Sequence, residues 1–302
     1  MKDTDFLLEA YCLIDQLLKD SIPPQGLRPR GPEPVLSDAE AITIALAGEF
    51  FGLDADADID RHFRRHYRAE FPTLAQIHRT TWTRQVANLW WVLQRVEEQL
   101  LRHFALDDPV AGTPLWLLDS FPLRVCRLKR APSCKRFAGL AAFGHDPTAG
   151  WDAFYGFRVH LRCAAQGPCV QIALAPANVA DLPMVYELAP EAGGEAVADR
   201  NYWSPLTQRD LGRQGLRLEA PFKKETSDPT PRHAALLSRL RQYIEPLIGQ
   251  LAMRFHMQRT WAKDLWHLTV RLARKHLAQT VAMFLNQRQG HPPLQLDLLL
   301  DP

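Results

Sequence analysis

Three acidic residues stand where side-chain chemistry could be done. Asp119 follows the apolar run Leu115-Trp116-Leu117-Leu118, and Asp199 follows Val197-Ala198, so each closes a segment that reads as a short buried strand. In open α/β sheets ligands gather at the carboxyl ends of strands, which suits an acid that meets a ligand. The same placement suits an Asp that caps the next turn. The third acid, Glu245, lies in an amphipathic stretch with Arg241 four residues before it. That spacing fits a pair facing a common site, and equally a solvated i,i+4 ion pair. Other constellations drop out. Cys126 and Cys134, with His145 or His160, match no zinc-finger spacing. Ser120 has no recognisable His partner for a hydrolase triad. Asp54, Asp56 and Asp58 imitate the start of a calcium loop, but Ile59 and Arg65 occupy the positions of its Gly and its bidentate Glu.

The elements that must position these acids change character along the chain. The first hundred or so residues read as helices. Phe6, Leu7, Ala10, Leu13, Ile14, Leu17 and Leu18 recur at helical spacing until Ser21-Ile22-Pro23-Pro24. Ser37 three residues before Glu40 is a capping box, and Leu36 before it can act as a staple. Further helices are expected over about 58–70 and 74–104. Asp107-Asp108-Pro109-Val110-Ala111-Gly112 then marks a turn-rich boundary. Strands are expected at 115–118, 154–162, 170–175, 196–198 and 216–218, with helices at 181–188, 204–213, 233–255 and 263–286. Consecutive strands followed by alternating helices and strands make a mixed α/β sheet domain. The chain therefore divides into an all-helical N-terminal domain, 1–106, and an α/β domain, 107–302.

The order strand-end Asp, strand-end Asp, helical Glu resembles the acidic triad of the DDE transposases. Specific segments carry the likeness further. Leu117-Leu118-Asp119-Ser120-Phe121-Pro122 is similar to the first-aspartate segment of one branch found in bacterial insertion sequences. Tyr155-Gly156-Phe157-Arg158-Val159-His160-Leu161 resembles its second strand, and Pro176-Ala177-Asn178-Val179-Ala180-Asp181 its third-strand exit. Ala198-Asp199-Arg200-Asn201-Tyr202 is similar to the second-aspartate segment, and Arg241 with Glu245 to the core of the glutamate segment. Upstream, Leu36 to Ile42 and Phe63-Arg64-Arg65-His66-Tyr67 resemble the helical region of the same branch. Two positions depart: Ser238 and Ala252 stand where many of these enzymes have Tyr and Lys. Pro246, directly after Glu245, lacks an N–H and predicts a kink or a new helical start there.

The resemblance implies a ribonuclease H-like mixed sheet with flanking helices, and Asp119, Asp199 and Glu245 as catalytic metal ligands. Mg²⁺ is a hard cation that prefers oxygen, so three carboxylates suffice to hold two ions, with Mn²⁺ as a possible substitute. Such an enzyme hydrolyses a phosphodiester at the transposon end and joins the freed 3′-hydroxyl to target DNA. Arg241, His160 and Asp181 are the implied supporting residues. The partners are double-stranded DNA and a second copy of the chain. Other readings of the same residues are a catalytically silent DNA-binding descendant and a simple ribonuclease H-like nuclease.

Composition agrees with a polyanionic partner. Residues 1–110 carry 12 Lys and Arg against 18 Asp and Glu, whereas the rest carry 24 against 16. Arg124, Arg127, Lys129, Arg130, Lys135 and Arg136 form a run without an acid, suited to phosphate neutralisation. Lys223, Lys224 and Arg254 are further candidates, and Tyr202 and Trp203 could stack on an unpaired base. With 46% hydrophobic and 23% charged residues the composition is that of a globular chain. No apolar run approaches a membrane span, and five irregularly spaced cysteines read as reduced thiols, so a soluble, cytoplasmic, nucleoid-associated protein is expected.

Overall fold

The computed structural model describes residues 1–22, 27, 32–104, 114–146, 152–165, 167–191, 193–222, 237–239 and 242–300. Backbone contacts divide the chain into a helical unit, Met1–Phe104 with Gln250–Pro302, and a sheet unit, Ala105–Gly249.

The helical unit contains α1 (Asp3–Ser21), α2 (Asp38–Phe50), α3 (Asp56–His66), α4 (Arg79–Asn88) and α5 (Trp90–Leu101). Its long C-terminal helix is called α9 (Leu265–Arg288) to keep chain order. The capping box opens α2: Glu40 N donates to Ser37 Oγ at 3.1 Å and Ser37 N to Glu40 Oε2 at 2.8 Å. α2 is apolar on nearly every side, so it lies at the centre, with α1, α4 and α9 packed on it. The single helix expected over 74–104 is instead a 3₁₀ turn at Pro72–Gln76 followed by α4 and α5. His78 caps α4 by accepting from Thr80 N, and the chain breaks again at the buried Leu89.

Residues 250–302, expected to continue the α/β domain, group with these helices through a buried apolar face and a set of buried charges. Glu49, at the end of α2, is 1% exposed and is met by two α9 cations, Arg274 and Lys275. Arg274 also reaches Asp56 at 2.8 Å, where Arg271 joins at 3.1 Å. His276 pairs with Glu97 of α5 at 2.9 Å. The run that imitates a calcium loop is thus spent on side-chain pairs within the protein: Asp54 is hydrogen-bonded with His256, and Asp56 forms ion pairs with Arg271 and Arg274 and Asp58 with Arg61.

Burial alone would raise the Asp56 carboxyl, but Arg274 and Arg271 outweigh it and hold it down at about 2. A depressed carboxylate gives stability that is complete above its unfolded value and lost as pH falls through the folded one. Acid titration of the fold should therefore show roughly 2 kcal/mol from Asp56 disappearing between about pH 4 and 2. Asp56→Asn should remove that part of the slope in acid unfolding curves; an unchanged slope would contradict it.

The sheet unit contains β1 (Leu115–Cys126), β2 (Ala142–Asp146), β3 (Asp152–Ala164), β4 (Cys169–Pro176), α6 (Met184–Leu188), β5 (Gly194–Val197), α7 (Pro205–Arg213), β6 (Leu216–Glu219) and α8 (Ile244–Gly249). β1 pairs antiparallel with β3 and parallel with β5, and β5 pairs parallel with β6. β2 and then β4 take successive stretches of the other edge of β3. The order β4-β3-β1-β5-β6 is the ribonuclease H-like arrangement. Trp116, Leu118, Val185, Leu188, Leu211, Leu216 and Leu218 fill the core on one face. Only glycine fits at position 156, since a Cβ there would lie 2.1 Å from the Leu123 carbonyl oxygen.

Two expectations change here. β1 does not stop at Asp119: Phe121 and Leu123 continue its buried alternation and pair with Val159 and Phe157. The long helix expected over 233–255 has as its described helical parts 237–239, α8 and a π-helical turn at Gln250–Arg254. Pro246 falls in the first turn of α8, where no intrahelical N–H is needed.

Candidate active site

The first two acids are placed by the β1–β5 ladder. Its last pair is Leu117 with Val197, and two residues further along each strand stand Asp119 and Asp199. Backbone remains extended at Asp199 (φ −78°, ψ 175°), so alternation puts both carboxylates on the same face, one strand apart. β1 keeps its β3 neighbour beyond this point but has lost β5. The acids therefore stand at a notch in the sheet, even though β1 itself runs on.

Local bonds hold both. Asp119 Oδ1 accepts from Ser120 N at 2.8 Å. Asp199 accepts from Asn201 N at 2.8 Å and Asn201 Nδ2 at 3.1 Å, capping the 3₁₀ turn Arg200–Tyr202. Capping is thus present at Asp199, and it leaves the acid at the sheet edge beside Asp119.

On the opposite face, directly behind Asp119, lies a polar layer that sequence reading saw only in part. Ser120 Oγ donates to Asp181 Oδ1 at 2.9 Å, and Arg158 sits 3.8 Å from the same carboxylate while donating to Ser120 Oγ and the His145 carbonyl. His160, fully buried and paired with Ser120 across the strands, has its Nδ1 3.6 Å from Asp181. Burial, and then the Arg158 charge, push its pKa down to about 4, so the ring is neutral. Arg158 is the residue missed; its alternation with His160 in a half-buried strand was the signal available.

Tyr202 is 1% exposed, and its ring belongs to the core beneath the sheet. It presents no open face to a base, so the stacking role expected for it is not available in this arrangement. Its hydroxyl is buried without a hydrogen-bond partner among the described residues. Burial pushes that phenol far up, and the charges of Asp181, Asp119 and Asp199 push it further. Trp203 is half-buried against Phe222, with ring centroids 5.2 Å apart.

Glu245 lies in α8, which packs against β1 through its buried neighbours Ile244 and Leu247, while Glu245 itself is exposed. Among the described residues, no three His, Cys, Asp or Glu side chains form a metal-holding group, so Glu245 is not brought onto the two aspartates. Arg241 lies outside the described residues. Asp119 and Asp199 nevertheless fit a hard divalent cation by donor chemistry: two anionic oxygen ligands on adjoining strands at a sheet edge.

The basic run folds around a 3₁₀ turn at Leu128–Ser133. Arg127, Lys129, Arg130, Lys135 and Arg136 are exposed. Arg124 is instead engaged with Asp146 at 2.7 Å and lies over the Phe154 ring. Arg254, offered above as a phosphate contact, belongs to the helical unit, where it pairs with Asp297 and covers the Phe50 ring at 4.6 Å. Lys223 and Lys224 lie outside the described residues. No helix among the described residues is long and apolar enough to cross a membrane.

A family model described as a transposase DDE domain matches residues 111–264, a span that includes Asp119, Asp199 and Glu245. No curated protein and no solved structure matches the chain significantly.

Proposed function

This chain belongs to the DDE transposase family, and from that premise we propose that it cuts DNA at transposon ends and joins the freed 3′-hydroxyl to target DNA. The observation that carries this reading is the side-by-side placement of Asp119 and Asp199 at the notch where the β1–β5 ladder ends. These two residues would hold divalent cations, Mg²⁺ or Mn²⁺, and Glu245, which this structure leaves apart from them, is proposed as the third ligand; when bound, such ions activate the attacking oxygen and stabilise the leaving one. Asp181 acts one layer behind: by fixing Ser120 and Arg158 it holds the β1 backbone that carries Asp119. Neutral His160 fills that layer without adding charge. Arg241 is assigned the task of orienting Glu245 or gripping a phosphate oxygen, which suits a planar guanidinium. The helical unit serves end binding or pairing of two copies, so that two ends can be processed together.

The test is cleavage of a duplex carrying the genomic sequence at either flank of this reading frame, searched for inverted repeats, with Mg²⁺, with Mn²⁺ and with chelator. Nicking at the repeat boundary that needs the cation is expected. Binding without nicking under every metal condition would favour a silent descendant, and nicking indifferent to the repeats a simple nuclease.

The exposed run supplies a second expected result. Arg127, Lys129 and Arg130 each neutralise a phosphate, so changing all three to Gln should flatten the slope of log affinity against log salt by roughly two to three units. An unchanged slope would assign the run to solvent.

A further inference from the structure

The helical unit has a basic groove that the catalytic reading does not use. Between α3 and the start of α4 lies a solvent-open cavity of about 690 Å³ lined by Arg61, Arg64, Arg65 and Arg79, with His78 and Asp60. Residues 1–110 hold only 12 basic residues against 18 acidic ones, and four of the 12 meet at this one place. The groove therefore runs against the charge of its surroundings.

Its walls are fixed and its cations are available. Arg64 Nε grips both oxygens of Asp60 at 2.9 and 3.0 Å, and its Nη2 donates to the Ile77 carbonyl at 2.8 Å, tying α3 to the segment that leads into α4. That guanidinium is structural, and it sets the spacing of the two walls. Arg61 is held only by an exposed i,i+3 pair with Asp58, the kind of contact that exchanges readily. Arg65 and Arg79 have no carboxylate partner among the described residues. Arg79 is the more telling of the two. It is the first residue of α4, where the helix dipole favours an acid and disfavours a cation. Helix stability thus gives no reason for Arg79. An anion in the groove does, because it would meet that guanidinium together with those of Arg61 and Arg65.

We infer that this groove is a docking site for the phosphodiester backbone of duplex DNA, separate from the Arg127–Arg136 surface of the sheet unit. The inference rests on the proposed DNA-processing function and locates one of its contacts. Its contribution is positional and sequence-independent, since arginines on phosphates carry no base information.

The test uses the full chain and a short duplex, with affinity measured across a salt series in the absence of divalent metal. Arg65→Gln with Arg79→Gln should lower the salt slope by roughly two units, one per lost phosphate contact. It should leave the thermal midpoint unchanged or slightly raised, because Arg79 opposes the α4 dipole. The control pair Arg84→Gln with Arg95→Gln removes two exposed charges of the same unit outside the groove and should leave the slope at its wild-type value. A wild-type slope in the groove variant, or an equal fall in the control, would overturn the docking site while leaving the DNA function intact. A wild-type chain that binds no duplex at any salt would instead remove the DNA reading itself, and the groove with it.

Discussion

Asp119→Asn and Asp199→Asn are expected to lower single-turnover cleavage at least about a thousandfold, equivalent to roughly 4 kcal/mol of lost transition-state stabilisation. Asn is the informative replacement. At position 199 its side-chain oxygen can still accept from Asn201 N and keep the 3₁₀ turn capped, so local structure survives while the anionic ligand is lost. Were Asp199 only a cap, Asn would cleave nearly as fast as wild type and Ala would be the harmful change. If both variants are inert, capping cannot be the role. DNA affinity should stay within about twofold of wild type in either case, since the exposed cations that neutralise phosphate are untouched. Full cleavage by either Asn variant would remove that residue from the site.

The largest expected effect on stability lies in the helical unit, at Glu49. Its carboxylate is the counter-charge to Arg274 and Lys275, which are 2% and 1% exposed. Burial disfavours the charged form of Arg274, but Glu49 and Asp56 more than offset it; for Lys275 burial wins and its pKa falls. Glu49→Ala would leave two buried cations sharing only Asp56 and the Phe255 carbonyl. Breaking a buried pair from one side costs roughly 3–5 kcal/mol, because the remaining charge is uncompensated. At about 2–4 °C per kcal/mol for a unit of this size, the melting temperature should fall by roughly 6–20 °C. A calorimetric shift of a degree or two would mean that water or a relaxed Lys275 compensates at little cost.

What the sequence disclosed follows the range of the interactions involved. The Ser37–Glu40 capping box spans three residues and was legible as written. So were the cores of β3, β4, β5 and β6, which are short apolar runs bounded by turns. The sequence suggests that β1 ends at Asp119, because Ser120 and Pro122 interrupt its apolar run. Its continuation depends on pairing with β3, which no local pattern displays. β2, with Gly144, His145 and Asp146, carries little strand signal and is held by pairing alone. Adjacency in sequence suggests the sheet domain for the C-terminal helix, whereas its buried apolar residues and its pairs with Glu49, Asp56 and Glu97 lie in the helical unit. Asp199 follows the end of β5, as its sequence suggests, whereas Asp119 lies within β1 and stands beside Asp199 because the β1–β5 ladder stops at Leu117–Val197. In the layer behind them only Asp181 and His160 are suggested by the resemblance; Arg158 and its bonds to Ser120 join separate segments through side chains, which no local pattern displays.

The grouping of Gln250–Pro302 with the first hundred residues also has a consequence for synthesis. Arg274 and Lys275 leave the ribosome 225 and 226 residues after the Glu49 they neutralise. At roughly 5–20 residues per second, a nascent chain spends about 10–50 s with that carboxylate unmatched and the α2 surface that α9 covers still bare. The whole sheet unit, Asp119 and Asp199 included, is translated during that interval. Until then the helical unit lacks the two cations that neutralise Glu49.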